Sequence, residues 1–417
     1  MQSAAHNVKD INLHKLLLIN YMGEVTDLTD IFIQLNIFED MTSSCMSGSI
    51  LIEDGNNLIS NFPIIGQEKI IISYSNPGLK AKEYTFFVYK PEKIGNKENN
   101  DKIQLYNLMF TSIELIKDQI TSISRSLKGK TSDVIYNILT QDWGLNYKGK
   151  YNIEDSDSHV DFVSPNWNPY KLINFFAQRS IPVNKKCPTY LFYQNMNGYN
   201  FVSYESLLDK GVSDEWYYAL TQTEDGYDVD TKAKNVNSYY IEKWLDTVGG
   251  CNNGLYSGKY IEVNLSNKKL ITNKYDYLKD FELFPSLYPN KLLPQNLINY
   301  EINSDTKNIQ VVYNNAIDKD VKKFNRWVLL RNAWLSQLKA ISVVVEKTLN
   351  SDTCVGDIVN FNIPSREPTD NLKYADYVSG KFLIWSNRIT IGNDLKGIST
   401  LRLVKDSFSK KLPDKKL

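Results

Sequence analysis

Residues Ser47–Tyr74 read SGSILIEDGNNLISNFPIIGQEKIIISY. The apolar run of Gly48–Glu53 predicts a strand, and Glu53-Asp54-Gly55 an acidic turn. Asn57–Phe62 is long enough for one helical turn, stopped by Pro63. Gly66 then opens a second strand over Lys69–Tyr74. No side chain here could act as a nucleophile, a general base or a soft metal ligand. The segment reads as a surface that organises other chains rather than reactants: either Asn57–Phe62 is a helical plug with Phe62 and Ile64 as anchors on a subunit or tube contact, or the loop folds back onto its own barrel.

Similar strands surround it. Lys15–Tyr21, Asp30–Phe38, Tyr84–Tyr89 and Ile103–Ile113 are short runs rich in Ile, Val, Phe and Tyr, bounded by Gly, Asn, Asp and Pro. Strands at this spacing predict a barrel or sandwich over residues 1–115, with Glu92–Asp101 as a polar loop tip. Residues 116–210 change character. Thr131–Thr140 carries Val134, Ile135, Ile138 and Leu139 at helical spacing, with Thr131, Ser132 and Asp133 as candidate N-caps. Asn168–Ala177 predicts a second helix, capped by Asn168 with Pro169 at its first position. Tyr190–Gln194 and Tyr199–Tyr204 flank Asn197-Gly198, a strong hairpin signal.

Residues 211–315 are loop-rich, broken by Gly249-Gly250, Gly254, Gly258, Pro285, Pro289 and Pro294, although Gly258–Leu265 alternates as a strand. Phe324–Leu338 is amphipathic, with Phe324, Trp327, Val328, Trp334, Leu335 and Leu338 on one face. Ala340–Glu346, Gly356–Ile363, Gly380–Trp385 and Ser399–Val404 then form a second β-unit. No repeat shows in the sequence, yet the two β-rich ends are candidates for structural relatives. Lys405, Lys410, Lys411, Lys415 and Lys416 predict a solvated basic tail.

At 417 residues the chain is expected to hold roughly two to four domains. Lys+Arg and Asp+Glu both number 48. That balance argues against affinity for nucleic acid or anionic membrane through bulk charge. Aromatics are 12%, with 27 Tyr and 7 Trp, which suits large interfaces and equally an AT-rich coding bias. No run approaches the ~20 apolar residues of a membrane span, and Leu16–Ile19 is too short for a signal peptide's apolar core. Cys45, Cys187, Cys251 and Cys354 form no CxxC pair, so free, mostly buried thiols in a reducing cytoplasm are expected.

No catalytic constellation is visible: GxSxG, HExxH, Walker A and GxGxxG are all missing. His6, His14 and His159 read as solvated or structural. Glu154–His159 and Glu224–Asp230 supply oxygen ligands but match no EF-hand ladder, so solvated loops outweigh calcium sites. Distant paired carboxylates of a glycoside hydrolase leave no sequence mark. The expectation is therefore no catalytic, cofactor or metal residue, and no enzyme.

The ordered series resembles the baseplate hub subunit of contractile-tailed bacteriophages and, more distantly, the hub portion of type VI secretion spike proteins. Four stretches carry it: Ser47–Tyr74; Ser164–Ser180; Tyr190–Tyr193 with Gly198–Leu207; and Val355–Pro364 with Ser379–Ile384 and Leu401–Ser407. Trp385-Ser-Asn-Arg388 departs from it, since such hubs often carry a histidine there. The resemblance implies a mainly β fold with α+β inserts and two β-barrel tube domains in one chain. The first is 1–115, an αβ insert is 116–210, and the amphipathic helix and second barrel are 316–408; the resemblance does not cover loop-rich 211–315, for which an outward-facing docking subdomain is the expectation, and 409–417 is the basic tail. It implies a homotrimer whose six barrels ring a lumen for DNA, between a six-fold tail tube or tube-initiator protein and a three-fold cell-puncturing spike. Such a protein is assembled in the host cytoplasm and resides in the virion's tail baseplate. Two rival classes are a carbohydrate- or receptor-binding tail protein and a lysozyme-type enzyme, for which only 211–315 leaves room.

Overall fold

The computed structural model describes residues 11–97, 100–183, 185, 187–218, 234–264, 268–291, 309–314, 319–365 and 374–411. The first β-unit contains β1 (Asn12–Ile19), β2 (Val25–Asp27), β3 (Phe32–Asp40), β4 (Ser47–Asp54), β5 (Lys69–Ser75), β6 (Lys82–Lys97) and β7 (Asn100–Thr111), with the short helix α1 (Leu58–Asn61) between β4 and β5. Exposure along β4 alternates strictly, and Ile50 and Ile52 are fully buried. This is the period of two that places one face on a core. Leu16, Leu18, Ile37, Ile70, Ile72, Leu108 and Phe110 complete that core. Gly48 is required where β4 crosses Phe110: a Cβ there would stand 2.3 Å from the ring and 2.4 Å from Asn36 O.

The insert holds β8 (Ser126–Lys130), β9 (Tyr151–Ile153), β10 (His159–Val163), β11 (Tyr190–Asn195) and β12 (Gly198–Ser203). Its helices are α2 (Ile113–Ile120), α3 (Thr131–Thr140), α4 (Pro169–Ala177) and α5 (Tyr204–Asp209). Helices α3 and α4 share a core with the β11–β12 hairpin. Helix α3 begins where its sequence predicts, but Thr131, Ser132 and Asp133 lie inside the helix and Lys130 occupies the cap without a side-chain bond. Asn168 does sit at the cap of α4, yet its amide donates to Asp118 O instead of accepting. The capping acceptor is distant in sequence: Asp118 Oδ1 takes the Tyr170 N–H at 2.6 Å. The hairpin also shifts by one residue. Asn195 pairs Gly198, leaving Met196-Asn197 as the loop. Gly198 has φ 118°, and a Cβ there would stand 2.0 Å from Lys150 O.

The second β-unit contains β13 (Val212–Tyr217), β14 (Val236–Trp244), β18 (Ile341–Thr348), β19 (Ile358–Asn362), β20 (Gly380–Gly392) and β21 (Gly397–Lys405). Between β14 and β18 lie a helix at Thr247–Asn252, a separate sheet of β15 (Ser257–Asn264), β16 (Lys269–Asp276) and β17 (Ile309–Asn314), and a helix at Lys319–Leu338. Residues 211–315 are thus more regular than their glycines and prolines suggest. The long helix turns Leu330, Ala333, Trp334 and Leu338 into the core of this unit. Side chains at 324, 327 and 328, expected on the same face, lie outside the described residues.

The two units share a strand order. The first runs β3-β4-β7-β6-β5-β1, and the second runs β14-β18-β21-β20-β19-β13. Matched by position, the six strands of each also occur in the same chain order. The duplication departs at its last pair, where β1 meets β5 antiparallel and β13 meets β19 parallel. One ladder fuses the units: β20 pairs β3 antiparallel from Ser386↔Asp40 to Gly392↔Gln34. The result is a mainly β fold whose 13-stranded sheet runs through both units, with helices in the connections.

Candidate assembly surface and interdomain junction

Among the described residues, no group of three or more His, Cys, Asp and Glu side chains is placed to hold a metal ion. His14 Nε2 lies 2.9 Å from Ser75 Oγ, and His159 sits in β10 opposite Lys130. The first acidic loop is a structural clamp. Glu154 accepts from Ser203 N–H (2.6 Å) and Oγ (2.9 Å), while Asp155 takes Lys130 Nζ at 2.8 Å and Ser132 Oγ at 3.1 Å. Glu154 and Asp155 are thus both held by donors of the protein itself. His6 and Glu224–Asp230 lie outside the described residues. All four cysteines are free thiols, Cys187 and Cys354 buried and Cys45 and Cys251 partly so.

The Ser47–Tyr74 stretch folds onto its own unit. Asp54, at the end of β4, accepts from the N–H groups of Asn56 (2.8 Å) and Leu58 (2.6 Å) and from Tyr106 Oη (3.2 Å). Glu68 accepts from three successive N–H groups, those of Ile65 (2.6 Å), Gly66 (3.0 Å) and Gln67 (3.1 Å). Both carboxylates point inward, at 1% and 0% exposure. They fasten both ends of the α1 loop and press Phe62 and Ile64 into the core of the first unit. Phe62 and Ile64 are consequently not anchors on another subunit; Ile65, 53% exposed, is the apolar side chain this loop turns outward. The whole stretch Leu16–Glu68 contains no Lys or Arg.

The junction between the units is polar, with Asn36, Glu39 and Asn387 buried and Arg388 at the exposed side. Arg388 donates from Nε (3.2 Å) and Nη2 (3.0 Å) to Asn36 Oδ1, which also accepts from Thr390 Oγ1 (3.0 Å). Next to Arg388 on β20, the Asn387 amide lies 3.4 Å from Glu39 Oε2. The other Glu39 oxygen takes the Met196 N–H of the insert hairpin at 2.6 Å. Burial pushes the Glu39 carboxyl up to about 7, against the lowering effect of those hydrogen bonds. The hairpin ties in further residues: Gln194 Oε1 accepts from Met46 N–H (2.9 Å) and Ser112 Oγ (2.7 Å), and Asn195 Nδ2 donates to Val355 O (3.0 Å). Strand β3, strand β20 and the insert thus meet at one buried carboxyl. Beside the hairpin an open cleft of about 640 Å³ is lined by Lys150, Tyr151, Asn195, Asn197, Asn200 and Asp357, among others.

The second unit inverts the chemistry of the first. Lys405, expected in a solvated tail, is fully buried at the end of β21. Its Nζ donates to the carbonyls of Tyr377 (2.8 Å), Val378 (2.9 Å) and Ser379 (3.3 Å). Burial pushes its ammonium down to about 7, against the favourable field of Asp406. Lys347 is buried with Nζ 4.2 Å from the Trp216 ring centroid, and burial pushes it down to about 8. Lys410, by contrast, forms an exposed pair with Asp376 at 2.6 Å. Lys415 and Lys416 lie outside the described residues.

Strand β14 ends the sheet, pairing only β18 among the described residues, and exposes Tyr240 (60%), Ile241 (40%) and Trp244 (42%). Exposed apolar residues grouped on an unpaired edge mark an interaction site. Strand propensity alone gives no hint of this; only the pairing map identifies β14 as terminal.

No protein-family model matches the sequence, and no curated protein matches it. Solved structures do share its fold. A tail protein from Neisseria meningitidis aligns over 94% of this chain and 96% of its own, at TM-score 0.56 and 10% identity. The 43 kDa tail protein of prophage MuSo2 from Shewanella oneidensis aligns over 94% and 98%, at TM-score 0.54 and 8% identity. A weaker likeness, at TM-score 0.45 and 7% identity over 97% and 79%, is to an E. coli protein described as a type VI secretion component similar to bacteriophage tail proteins.

Proposed function

We propose that the chain is a structural protein of a phage tail, the subunit of a homotrimeric baseplate hub. Two β-units of like strand order, joined by the β3–β20 ladder in one polypeptide, carry this reading. A subunit that holds two similar modules presents six modules when three copies close a ring. Such a ring matches a six-fold tail tube on one side and a three-fold spike on the other. The tail proteins that share the fold over nearly their full length support the placement in a tail. Contractile tail, central lumen, DNA passage, spike and tube partners, assembly in the host cytoplasm and residence in the virion all belong to this reading. So does a non-enzymatic role, with 211–315 as a docking subdomain.

The hydrogen-bonded junction suits a part that carries load. Glu39, Arg388 and the hairpin leave the two units no free hinge, so force on one module passes through a hydrogen-bonded sheet. Balanced charge also fits, because a lumen that conducts DNA gains nothing from a strong cationic wall. Light scattering and native mass spectrometry of the purified chain test the proposal. A trimer is expected. A chain that stays monomeric with the spike present overturns it, and peptidoglycan hydrolysis by the purified protein overturns the non-enzymatic role.

A further inference from the structure

The cleft beside the insert hairpin carries chemistry that a structural role leaves unused. Its floor is one row across the insert sheet. Tyr193 of β11 stands opposite Asn200 of β12, and Asn200 stands opposite Asn152 of β9. Its far wall is the turn at 355–357, ahead of β19. Gly356, at φ 96°, lets that turn come close: a Cβ there would stand 2.2 Å from Tyr193 Oη. The cleft volume of about 640 Å³ lies in the range of ligand sites.

Several polar groups of the cleft are unmatched within the chain. Tyr193 is 1% exposed, yet its hydroxyl makes no hydrogen bond among the described residues. Buried hydroxyls are nearly always paired, so this one calls for a partner from outside the chain. Asn200 gives Nδ2 to Gly198 O at 3.0 Å and keeps Oδ1 open. Asp357 takes the Cys354 N–H on Oδ2 at 3.0 Å and keeps Oδ1 open. Lys150 and Lys210 line the rim, are exposed, and enter no ion pair among the described residues. Lys210 is near enough to favour the ionised form of Asp357. Tyr151, 45% exposed, adds a ring at the rim.

Two open oxygens require donors and two ammonium groups require an anion, while the phenol and the Asn152 amide serve either way. An apolar ligand would leave all of these groups unpaired. A phosphate ion satisfies the lysines but brings too few donors for Asn200 and Asp357, and the Asp357 carboxylate repels it. A saccharide with a carboxylate supplies hydroxyl donors, acceptors and a negative charge together, and an apolar ring face that packs on a tyrosine. We infer that this cleft binds an acidic saccharide, with hydroxyls on Tyr193, Asn200 and Asp357 and the carboxylate toward Lys150 and Lys210. Every one of these groups belongs to a single chain, so the site does not depend on the ring.

Calorimetric titration of the full chain tests this, with sialyllactose, trigalacturonate, N-acetylglucosaminyl-N-acetylmuramic acid and neutral lactose as probes. At least one acidic sugar is expected to bind, about tenfold or more tighter than lactose. Tyr193→Phe should weaken that sugar by about five- to tenfold. Its thermal midpoint should stay unchanged, because the lost hydroxyl holds nothing within the chain. Lys150→Gln combined with Lys210→Gln should erase the preference over lactose, and inorganic phosphate should not displace the sugar. No binding of any acidic sugar at millimolar concentration overturns the site. So does binding that Tyr193→Phe and the lysine variant leave unchanged, or lactose bound as tightly as the acidic sugars. Displacement by phosphate would make the cleft an anion site and overturn the saccharide. None of these outcomes moves the mass read by light scattering, so this proposal and the hub reading fail separately.

Discussion

The two β-units share a strand order but each secures one of its loops with a buried group of opposite charge. The first secures its loop with carboxylates: Asp54 and Glu68 accept from backbone N–H groups around α1. The second secures a loop with an ammonium: Lys405 donates to three carbonyls between β19 and β20. Either solution satisfies backbone groups that burial would otherwise leave unpaired. The difference teaches that strand order constrains a core's shape and leaves the sign of its internal charges open.

The largest expected effect comes from the plug of the first unit. Phe62→Asp should cost about 4 kcal/mol or more, because it removes a buried ring and buries a carboxylate. Ile65→Asp, three residues away and half exposed, should change stability by less than about 0.5 kcal/mol. Denaturant unfolding of the two variants checks this. Equal effects would mean that the α1 loop is not folded back onto its own unit.

Next come the two clasps. Glu68→Ala leaves three N–H groups without their acceptor, and Lys405→Met leaves three carbonyls without their donor. Each should cost about 2–3 kcal/mol. Because the β3–β20 ladder joins the units, each variant should still unfold in one transition, with both units lost together. Two separate transitions in calorimetry would break the comparison by showing that the seam does not couple them.

Much of this was legible beforehand, and the reason for the rest is physical. Strand and helix positions follow from local periodicity, so β4, β15, α3 and α4 fall close to where the sequence puts them. Lys405 was misread because a lysine in a C-terminal run is solvated by default, and only the loop at Tyr377–Ser379 tells otherwise. The inward turn of Phe62 depends on Asp54 and Glu68, which read locally as a polar turn. The β3–β20 seam joins residues about 350 positions apart, and nothing in either strand names the other. The edge character of β14 is likewise a property of the pairing map, not of its composition.

Lys347 sharpens the charge contrast through pH. Burial lowers its folded-state value to about 8, below its ordinary value near 10.4. The unfolded chain therefore binds more protons between these values, and stability rises as pH is raised from about 8 toward 10. Lys347→Met should remove its share of that rise, leaving the share that buried Lys405 gives with the same sign, and stabilise the protein at pH 7 by about 2 kcal/mol. Thermal unfolding between pH 7 and 10 measures both; a variant that keeps the wild-type slope would assign the effect to another group.

Glu39 carries the opposite sign and should give the smallest effect. Its carboxyl is raised to about 7 by burial at the three-way junction, with Asp357 adding a like charge. The folded state then binds more protons than the unfolded one between about 4.5 and 7. Stability present below that window is lost as pH rises through it and levels off above. Glu39→Gln keeps an oxygen to accept the Met196 N–H but turns an amide nitrogen toward one of its neighbours, so the net gain above pH 7.5 should be only about 1 kcal/mol. Near pH 4.5 the variant and wild type should match. Asp406, in the second unit, is also raised to about 7 by burial and titrates with the same sign. The variant should therefore lose part of the wild-type pH dependence and retain the rest, as urea midpoints at pH 4.5, 6 and 7.5 will show. Loss of the whole dependence would place the acid response of both units at the junction alone. No loss would place it in the second unit, and the carboxylate at the seam would then be a hydrogen-bonding group without a titration of its own.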